Sequence, residues 1–296
     1  MISHDTYLPQ TLSSPMQDTG RQPVGSHCKA MTAVGVALRC CMMGLLCVAG
    51  CDIEIQFSPW QSNVPARDLT ATHLAKLTKT DTASFEPFTV AVAADVHVDA
   101  GELREIARAL NGRGDIAFLL LVGDLTDLGT LLEFTWLHKT IEECDFPVLT
   151  VVGNHDGLGN GPTIYNRMFG AFNYSFVYRD VQFVMWNNNP DEWGDPDLEW
   201  LEQQVASHTP SVIVAHQPPL TAPAPEEDWK YVRQGGSVIA TVHGHIHCFD
   251  YYIEDGLVPV YTVDKVRGGN YGLIEFGDSG LRFFNCGPGQ CEEVSE

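Results

Sequence analysis

The sequence predicts an α/β fold of two packed sheets flanked by helices, and three observations predict it. Apolar runs of strand length recur along the chain, helix-like stretches link them, and short segments rich in carboxylates and imidazoles end them. The runs 88–94, 116–122, 148–152 and 212–215 are almost continuously apolar, the pattern of parallel strands buried on both faces. The first leads into a helical stretch containing Glu102-Leu103-Arg104-Glu105-Ile106-Ala107, with Asp99 placed to cap it. Residues 174–187 read as a hairpin turning near Arg179-Asp180, and later strands are expected around 248–264 and 271–284.

The polar segments carry the chemistry. After successive runs come Asp95 and His97, Asp124, Asn154 with His155, His216, and His245 with His247. Open α/β sheets bind ligands beyond the carboxyl ends of their strands, so residues far apart in sequence can share one pocket there. Acids and imidazoles crowded at the edge of a core are costly to desolvate, and divalent cations relieve that cost by supplying compensating charge. Gly123, Gly153 and Gly244 each precede one of these residues, where a sharp turn needs backbone freedom or close approach.

With these residues in place the chain resembles the calcineurin-like metallophosphoesterases, which are identified by blocks in a fixed order. Asp95-Val96-His97 matches the first, Gly123-Asp124 the second, Gly153-Asn154-His155-Asp156 the third, His216 the fourth and Gly244-His245-Ile246-His247 the fifth, over residues 88–284. One block is common by chance; five in order, each at the end of a strand, form a specific signal. The resemblance implies a four-layer α/β/β/α sandwich of two mixed sheets flanked by helices. It assigns one metal to Asp95, His97, Asp124 and His247 and a second to Asp124, Asn154, His216 and His245, so that Asp124 bridges. A nitrogen and oxygen set without thiolate suits manganese, iron, zinc or cobalt. Purple acid phosphatases, a branch of the family, have a Tyr three residues after the bridging Asp; Asp127 stands here, so an iron-tyrosinate site is not expected.

The implied reaction is metal-dependent hydrolysis of a phosphodiester or phosphomonoester, by in-line attack of a hydroxide held between two divalent ions about 3.5–4 Å apart. His155 stabilises the transition state and protonates the leaving oxygen, and Asp156 orients its ring. The form of the blocks is most similar to the bacterial cyclic-nucleotide phosphodiesterase branch. Two alternatives stand beside this: a pyrophosphatase acting on a nucleotide-sugar or lipid-linked substrate, and a non-catalytic metal-binding scaffold, which the complete ligand set opposes.

Other polar residues have plainer readings. His243 alternates into the strand before Gly244 and reads as a packed group, while His138 and His208 read as helix-surface residues. The Gly-rich stretch 156–162 lacks the Lys and Ser or Thr of a phosphate-binding loop, and it reads as a rim loop together with the proline-rich stretch 217–229. Trp193, Trp229 and Tyr231 could stack on a base or sugar, although such aromatics more often anchor packing.

The N-terminus carries a separate message. Residues 40–50 form an apolar run ending Val48-Ala49-Gly50-Cys51, which resembles a bacterial lipoprotein signal. The run is shorter than the roughly 20 residues that span a bilayer but fits a signal h-region. Cleavage before Cys51 and its acylation would tether the domain to the membrane and place it in the bacterial cell envelope. Without processing the expected location is cytoplasmic, and the run would be a buried helix. Arg39 interrupts the leader if translation begins at Met1 and falls into a basic n-region if it begins at Met31, which favours the later start. The resulting organisation is a leader over 1–50, a tether over 51–82 that could hold one amphipathic helix around Leu69, His73, Leu74 and Leu77, and a metallophosphoesterase domain over 83–296.

Of the cysteines beyond the leader, Cys144, Cys248, Cys286 and Cys291, the last two flank turn residues that could close a small loop, with the pairing left open. The net charge of −21 disfavours a nucleic-acid partner, whose backbone is held by basic patches. A small phosphorylated substrate remains compatible, because surface charge is screened over about 10 Å at 0.1 M salt whereas bound cations act at contact.

Overall fold

The strand-forming runs assemble into two six-stranded sheets that face one another. In the computed structural model the described residues are 61–82, 84–190, 193–206, 209–219, 236–254 and 258–294. The leader, Cys51 and the start of the tether lie outside them, as do His208, Trp229, Tyr231 and most of the 217–229 loop.

In chain order the elements are α1 (Leu69–Leu77), β1 (Phe88–Ala93), α2 (Ala100–Asn111), β2 (Ile116–Val122), α3 (Leu131–Ile141), β3 (Val148–Val151), α4 (Gly161–Met168), β4 (Tyr174–Tyr178), β5 (Val181–Met185) and α5 (Leu198–Val205). There follow β6 (Ser211–Val214), β7 (Val238–His243), β8 (Asp250–Glu254), β9 (Val258–Thr262), β10 (Tyr271–Gly277), β11 (Gly280–Gly287) and β12 (Gln290–Val294). One sheet has the order β12-β11-β10-β1-β2-β3 and the other β4-β5-β6-β7-β9-β8. Parallel pairing joins β1 to β2, β2 to β3, β5 to β6, β6 to β7 and β7 to β9; the pairs β1–β10, β10–β11, β11–β12, β4–β5 and β8–β9 are antiparallel, so both sheets are mixed.

The continuous apolar runs are explained by strands that bury both faces. Along β1, Val90 and Val92 point between the sheets, toward Phe183, Val212 and Val242, while Ala91 and Ala93 face the helix layer of Leu103, Ile106 and Phe134. On the other sheet, Val184 and Ile213 pack against Leu201 and Val205 of α5. The result is four layers, α/β/β/α. Helix α2 buries Leu103, Ile106, Ala107 and Leu110, the i, i+3, i+4, i+7 stripe of an amphipathic helix. Helix α3 opens with a capping box between Thr130 and Glu133.

Asp99 does not cap α2 with its side chain as expected. Its carboxylate instead accepts from Arg267 Nε at 2.9 Å, and only its carbonyl serves the helix, accepting from Glu102 and Leu103. The hairpin turn falls at Arg179-Asp180, both left-handed (φ 48° and 60°) as a two-residue I′ turn requires. Anchoring offsets the cost of that conformation in Arg179: its amide donates to Asp81, its guanidinium donates to the Pro87 carbonyl at 2.8 Å, and the charge lies over the Tyr178 ring. Strand β12 was not anticipated, because Gln290-Cys291-Glu292-Glu293-Val294 is an exposed edge without apolar alternation. A disulfide joins Cys286 to Cys291 across β11 and β12, while Cys144 and Cys248 are free thiols. His138 is less exposed than a helix-surface residue, at 12% of its side chain. Among the described residues no helix is long and apolar enough to cross a membrane.

Helix α1 makes the described end of the tether part of the packed body, which therefore reaches N-terminal of residue 83. Leu69, His73 and Leu77 are buried, and His73 Nδ1 accepts the amide of Val148 at the start of β3 (3.1 Å). Burial, aided by the charges of Lys76 and His138, pushes the His73 ring down to about 4 from 6.5. Between those values the unfolded chain binds a proton that the folded chain refuses, so acidification destabilises the fold. In thermal melts a His73→Asn variant should gain on wild type as pH drops from 7 to 4.5; a stability gap independent of pH would contradict this role.

Candidate metal centre

The carboxyl ends of β1, β2, β3, β6 and β7 converge at one end of the sandwich. The loop after β1 presents Asp95 and His97, that after β2 Asp124, that after β3 Asn154 and His155, that after β6 His216, and that after β7 His245 and His247. Close approach of the loops depends on missing side chains. A Cβ on Gly123 (φ 78°) would run into the His216 ring, and one on Gly153 into Asp124.

Five of these residues hold a left-handed backbone: Asp95 (φ 53°), His97 (46°), Asp124 (47°), His245 (73°) and His247 (55°). Such a conformation costs on the order of 1–3 kcal/mol per non-glycine residue and persists only where the surroundings over-determine it. Bonds between the loops do so here. Asp95 N donates to Gly123 O (3.1 Å), His97 N to Asp124 O (3.0 Å), Gly244 N to His216 O (3.0 Å) and His245 N to Asp95 Oδ2 (3.0 Å).

The side chains form two groups that share Asp124. In the first, His97 Nε2 lies 3.2 Å from His247 Nε2 and 3.7 Å from Asp124 Oδ2, and His247 Nε2 lies 3.5 Å from Asp95 Oδ1. In the second, His216 Nε2 lies 3.2 Å from Asp124 Oδ2 and 3.3 Å from His245 Nδ1, which is 3.1 Å from Asn154 Oδ1. The ligand atoms of Asp95, His97, Asp124 and His247 all fall within 4.8 Å of one another, as do those of Asp124, His216 and His245. His216 Nδ1 sits 2.9 Å from the Val122 carbonyl, which can only accept, so the proton is on Nδ1 and the Nε2 lone pair faces inward. Lone pairs gathered in two groups around the buried Asp124, from nitrogen and oxygen alone, fit divalent cations.

Protonation of this cluster follows the same logic. Burial would raise the Asp124 carboxyl, but the neighbouring His216 holds it well below the usual carboxylate range. Burial would lower the His216 ring, but Asp124 lifts it to about 9. Asp124 thus draws positive charge to His216 Nε2, where a proton and a divalent cation would compete for the same lone pair. His97 and His245 are pushed down by burial, whereas the hydrogen bond to Asp95 raises His247.

The structure corrects the role expected of Asp156. Its carboxylate is fully buried and turned away from the His155 ring: Oδ1 accepts from Thr126 N (2.9 Å) and Thr126 Oγ1 (2.8 Å), Oδ2 from Gly153 N (2.8 Å) and Leu125 N (3.1 Å). Residues His155–Gly157 form a 3₁₀ turn, in which successive side chains diverge by about 120°, so neighbours in sequence point apart. Asp156 fastens the second ligand loop to the third; burial, then the Asp124 charge, pushes its carboxyl up against the pull of these donors.

The His155 ring is held by Asp127. Its Nδ1 donates to the Asp127 carbonyl at 2.8 Å, and the Asp127 carboxylate lies 3.6 Å from that nitrogen and 3.3 Å from His97 Nδ1. In the sequence Asp127 stood out only as the residue in place of a Tyr. Sequence reasoning also missed Asn188 and Asn189, buried beyond β5. Asn188 exchanges hydrogen bonds with the backbone of Gln217, and Asn189 donates to the Val152 carbonyl (2.9 Å) while accepting from Gln217 Nε2 (3.3 Å), which joins the third and fourth ligand loops. Three consecutive asparagines ending an apolar strand were the available signal. Trp193 anchors packing, with its indole donating to Gly153 O and its ring against Phe172. His243 is buried and bonded to the Ala215 carbonyl, outside the cluster.

The sequence pattern of the calcineurin-like phosphoesterase family matches residues 88–249, more than half of the chain. The chain is 28% identical over 110 residues to a probable cyclic nucleotide phosphodiesterase of Fibrobacter succinogenes, covering 36% of this chain and 43% of that protein. It is 22% identical over 191 residues to a 3′,5′-cyclic-nucleotide phosphodiesterase of Nostoc, covering 54% of this chain and 72% of the relative. The first match thus spans less than half of its relative. Among solved structures, a dimetal phosphatase from Danio rerio shares the fold with a TM-score of 0.59, at 14% identity over 71% of this chain and 99% of that one.

Asp156→Asn tests the buried carboxylate, since either orientation of the amide sets an NH₂ group against N–H donors. We expect a loss of about 2–3 kcal/mol in stability with reduced metal retention by elemental analysis; a variant as stable and as metal-rich as wild type would contradict the fastening role.

Proposed function

Because this chain belongs to the calcineurin-like phosphoesterase family, we propose that it hydrolyses phosphate esters at two divalent ions that share Asp124, with His155 as proton donor. The observation that carries this reading is the convergence of two ligand groups on one buried carboxylate.

Asp95, His97, Asp124 and His247 would hold one ion, and Asp124, Asn154, His216 and His245 the other; manganese, iron, zinc and cobalt all suit this set. Bound there, divalent ions supply Lewis acidity toward phosphoryl oxygens and an activated water near neutral pH. The protein's own contribution is orientation and proton transfer. His155 commits Nδ1 to the Asp127 carbonyl, which leaves Nε2 to protonate the departing oxygen. Asp127 also faces His97, so one side chain registers the proton donor against a metal ligand. Two relatives named as cyclic nucleotide phosphodiesterases favour a diester substrate.

The location proposed is the bacterial cell envelope, through a lipid on Cys51. Support for it is the Val48-Ala49-Gly50-Cys51 sequence after an apolar run. Mass spectrometry of the native protein should find a chain beginning at an acylated Cys51; an unmodified Cys51 within an uncleaved chain would remove the anchor.

Turnover is tested with bis-p-nitrophenyl phosphate, p-nitrophenyl phosphate and cyclic nucleotides in the presence of manganese. We expect hydrolysis by wild type, and in His155→Ala a drop of about 10²–10⁴-fold with unchanged metal content. Inertness with every metal tried would favour a scaffold, and a His155→Ala variant at the wild-type rate would remove the proton-donor role.

A further inference from the structure

At the end of the sandwich opposite the metal centre the two sheets enclose an apolar pocket of about 690 Å³. One sheet supplies Phe276, Leu281 and Phe283 from β10 and β11, and the other supplies Val181, Ile239 and Ile253 from β5, β7 and β8. Ile239 is the second residue of β7, whereas His245 follows the end of that strand, which sets the pocket about 20 Å along the strand from the ligand cluster. Glycines help to leave the space open. Gly277 and Gly280 line the pocket where β10 turns into β11, and a Cβ built on Gly280 (φ 117°) would meet nothing within 4 Å.

The volume falls within the range of about 300–1,000 Å³ that small-molecule sites occupy, and walls that are mostly apolar with few polar groups are typical of them. Phe85, one of the large apolar side chains exposed among the described residues, stands on the lining. Charge narrows the ligand. Among the described residues Asp180 is the one charged group in the lining; its Oδ2 accepts the Phe85 amide at 3.1 Å, and no described Lys or Arg pairs with it. The two arginines that adjoin lining residues in sequence are engaged elsewhere. The Arg179 guanidinium donates to the Pro87 carbonyl, and Arg282 alternates to the other face of β11 from Leu281 and Phe283, where Glu275 and Glu293 hold it at 2.9 and 2.6 Å.

We propose that this pocket binds an aliphatic amine, with the hydrocarbon chain between the sheets and the ammonium group beside the Asp180 carboxylate. Walls with so few polar groups hold water poorly, so a chain of methylenes gains on entering. The ammonium stays at the rim, where Asp180 is exposed, and attraction to the carboxylate comes without the cost of burying either charge. An anionic head is repelled by the same carboxylate. No metal ligand lines the pocket, so the site stands apart from the hydrolase reading.

Calorimetric titration of the full chain with butylamine, octylamine, octan-1-ol and octanoate tests this, since chain length and head charge then vary separately. Octylamine should bind at least about tenfold more tightly than butylamine, as expected when part of each added methylene is buried. It should bind about threefold more tightly than octan-1-ol, the size of an exposed ion pair, with octanoate the weakest octyl ligand. Asp180→Asn should erase the preference for the amine and leave octan-1-ol binding unchanged. In an I253Q/L281Q variant, at two half-buried positions, every octyl ligand should lose at least about tenfold; the melting temperature checks folding, and Ile253→Gln alone serves if the pair melts early. Failure of all octyl ligands to bind wild type, or binding kept in the glutamine variant, overturns the pocket. Octylamine no tighter than octan-1-ol or octanoate, or an amine preference that survives in Asp180→Asn, overturns the cationic class.

Discussion

Asp124 lies between imidazoles delivered by opposite sheets, with His97 from the sheet containing β1 and His216 from the sheet containing β6, and it is 1% exposed. A carboxylate placed there cannot be solvated by water, so its charge must be met by cations or protons. One oxygen accepts the His155 amide at 2.9 Å, and the other faces both ligand groups. The requirement propagates outward. Gly123 and Gly153 must lack side chains for the loops to close on Asp124, and Asp156 must stay buried to hold the backbone on either side of it. The conformational strain in five site residues is the local cost of that convergence, met by the inter-loop hydrogen bonds and by two packed cores.

Those cores explain how much of the fold was legible in the sequence. Strands buried on both faces need apolar residues at nearly every position, so β1, with Thr89 its one polar residue, and β2 stood out as near-continuous runs with boundaries matching to within a residue. The clustered acids and imidazoles were legible because each breaks such a run with a residue type that has no place in a core. Edge strand β12 was invisible because solvent on its outer side removes the selection for apolar residues.

Side-chain direction was the illegible part. Asp156 follows His155, and adjacency suggested contact, but a 3₁₀ turn separates the two and sends the carboxylate to donors some 30 positions earlier in the chain. Asp99 stands where a helix cap belongs, yet Arg267, 168 positions away, claims its carboxylate. Asp127, Asn188 and Asn189 act through partners that only the folded chain brings near. In each case the residue type was visible and the partner was not.

The most direct test is crystallography of the manganese-loaded protein with anomalous scattering at the metal edge. The account predicts two ions per chain, one on each side of Asp124, with Asp95, His97 and His247 on one and Asn154, His216 and His245 on the other. A single ion, or ions bound away from Asp124 at saturating manganese, would contradict it.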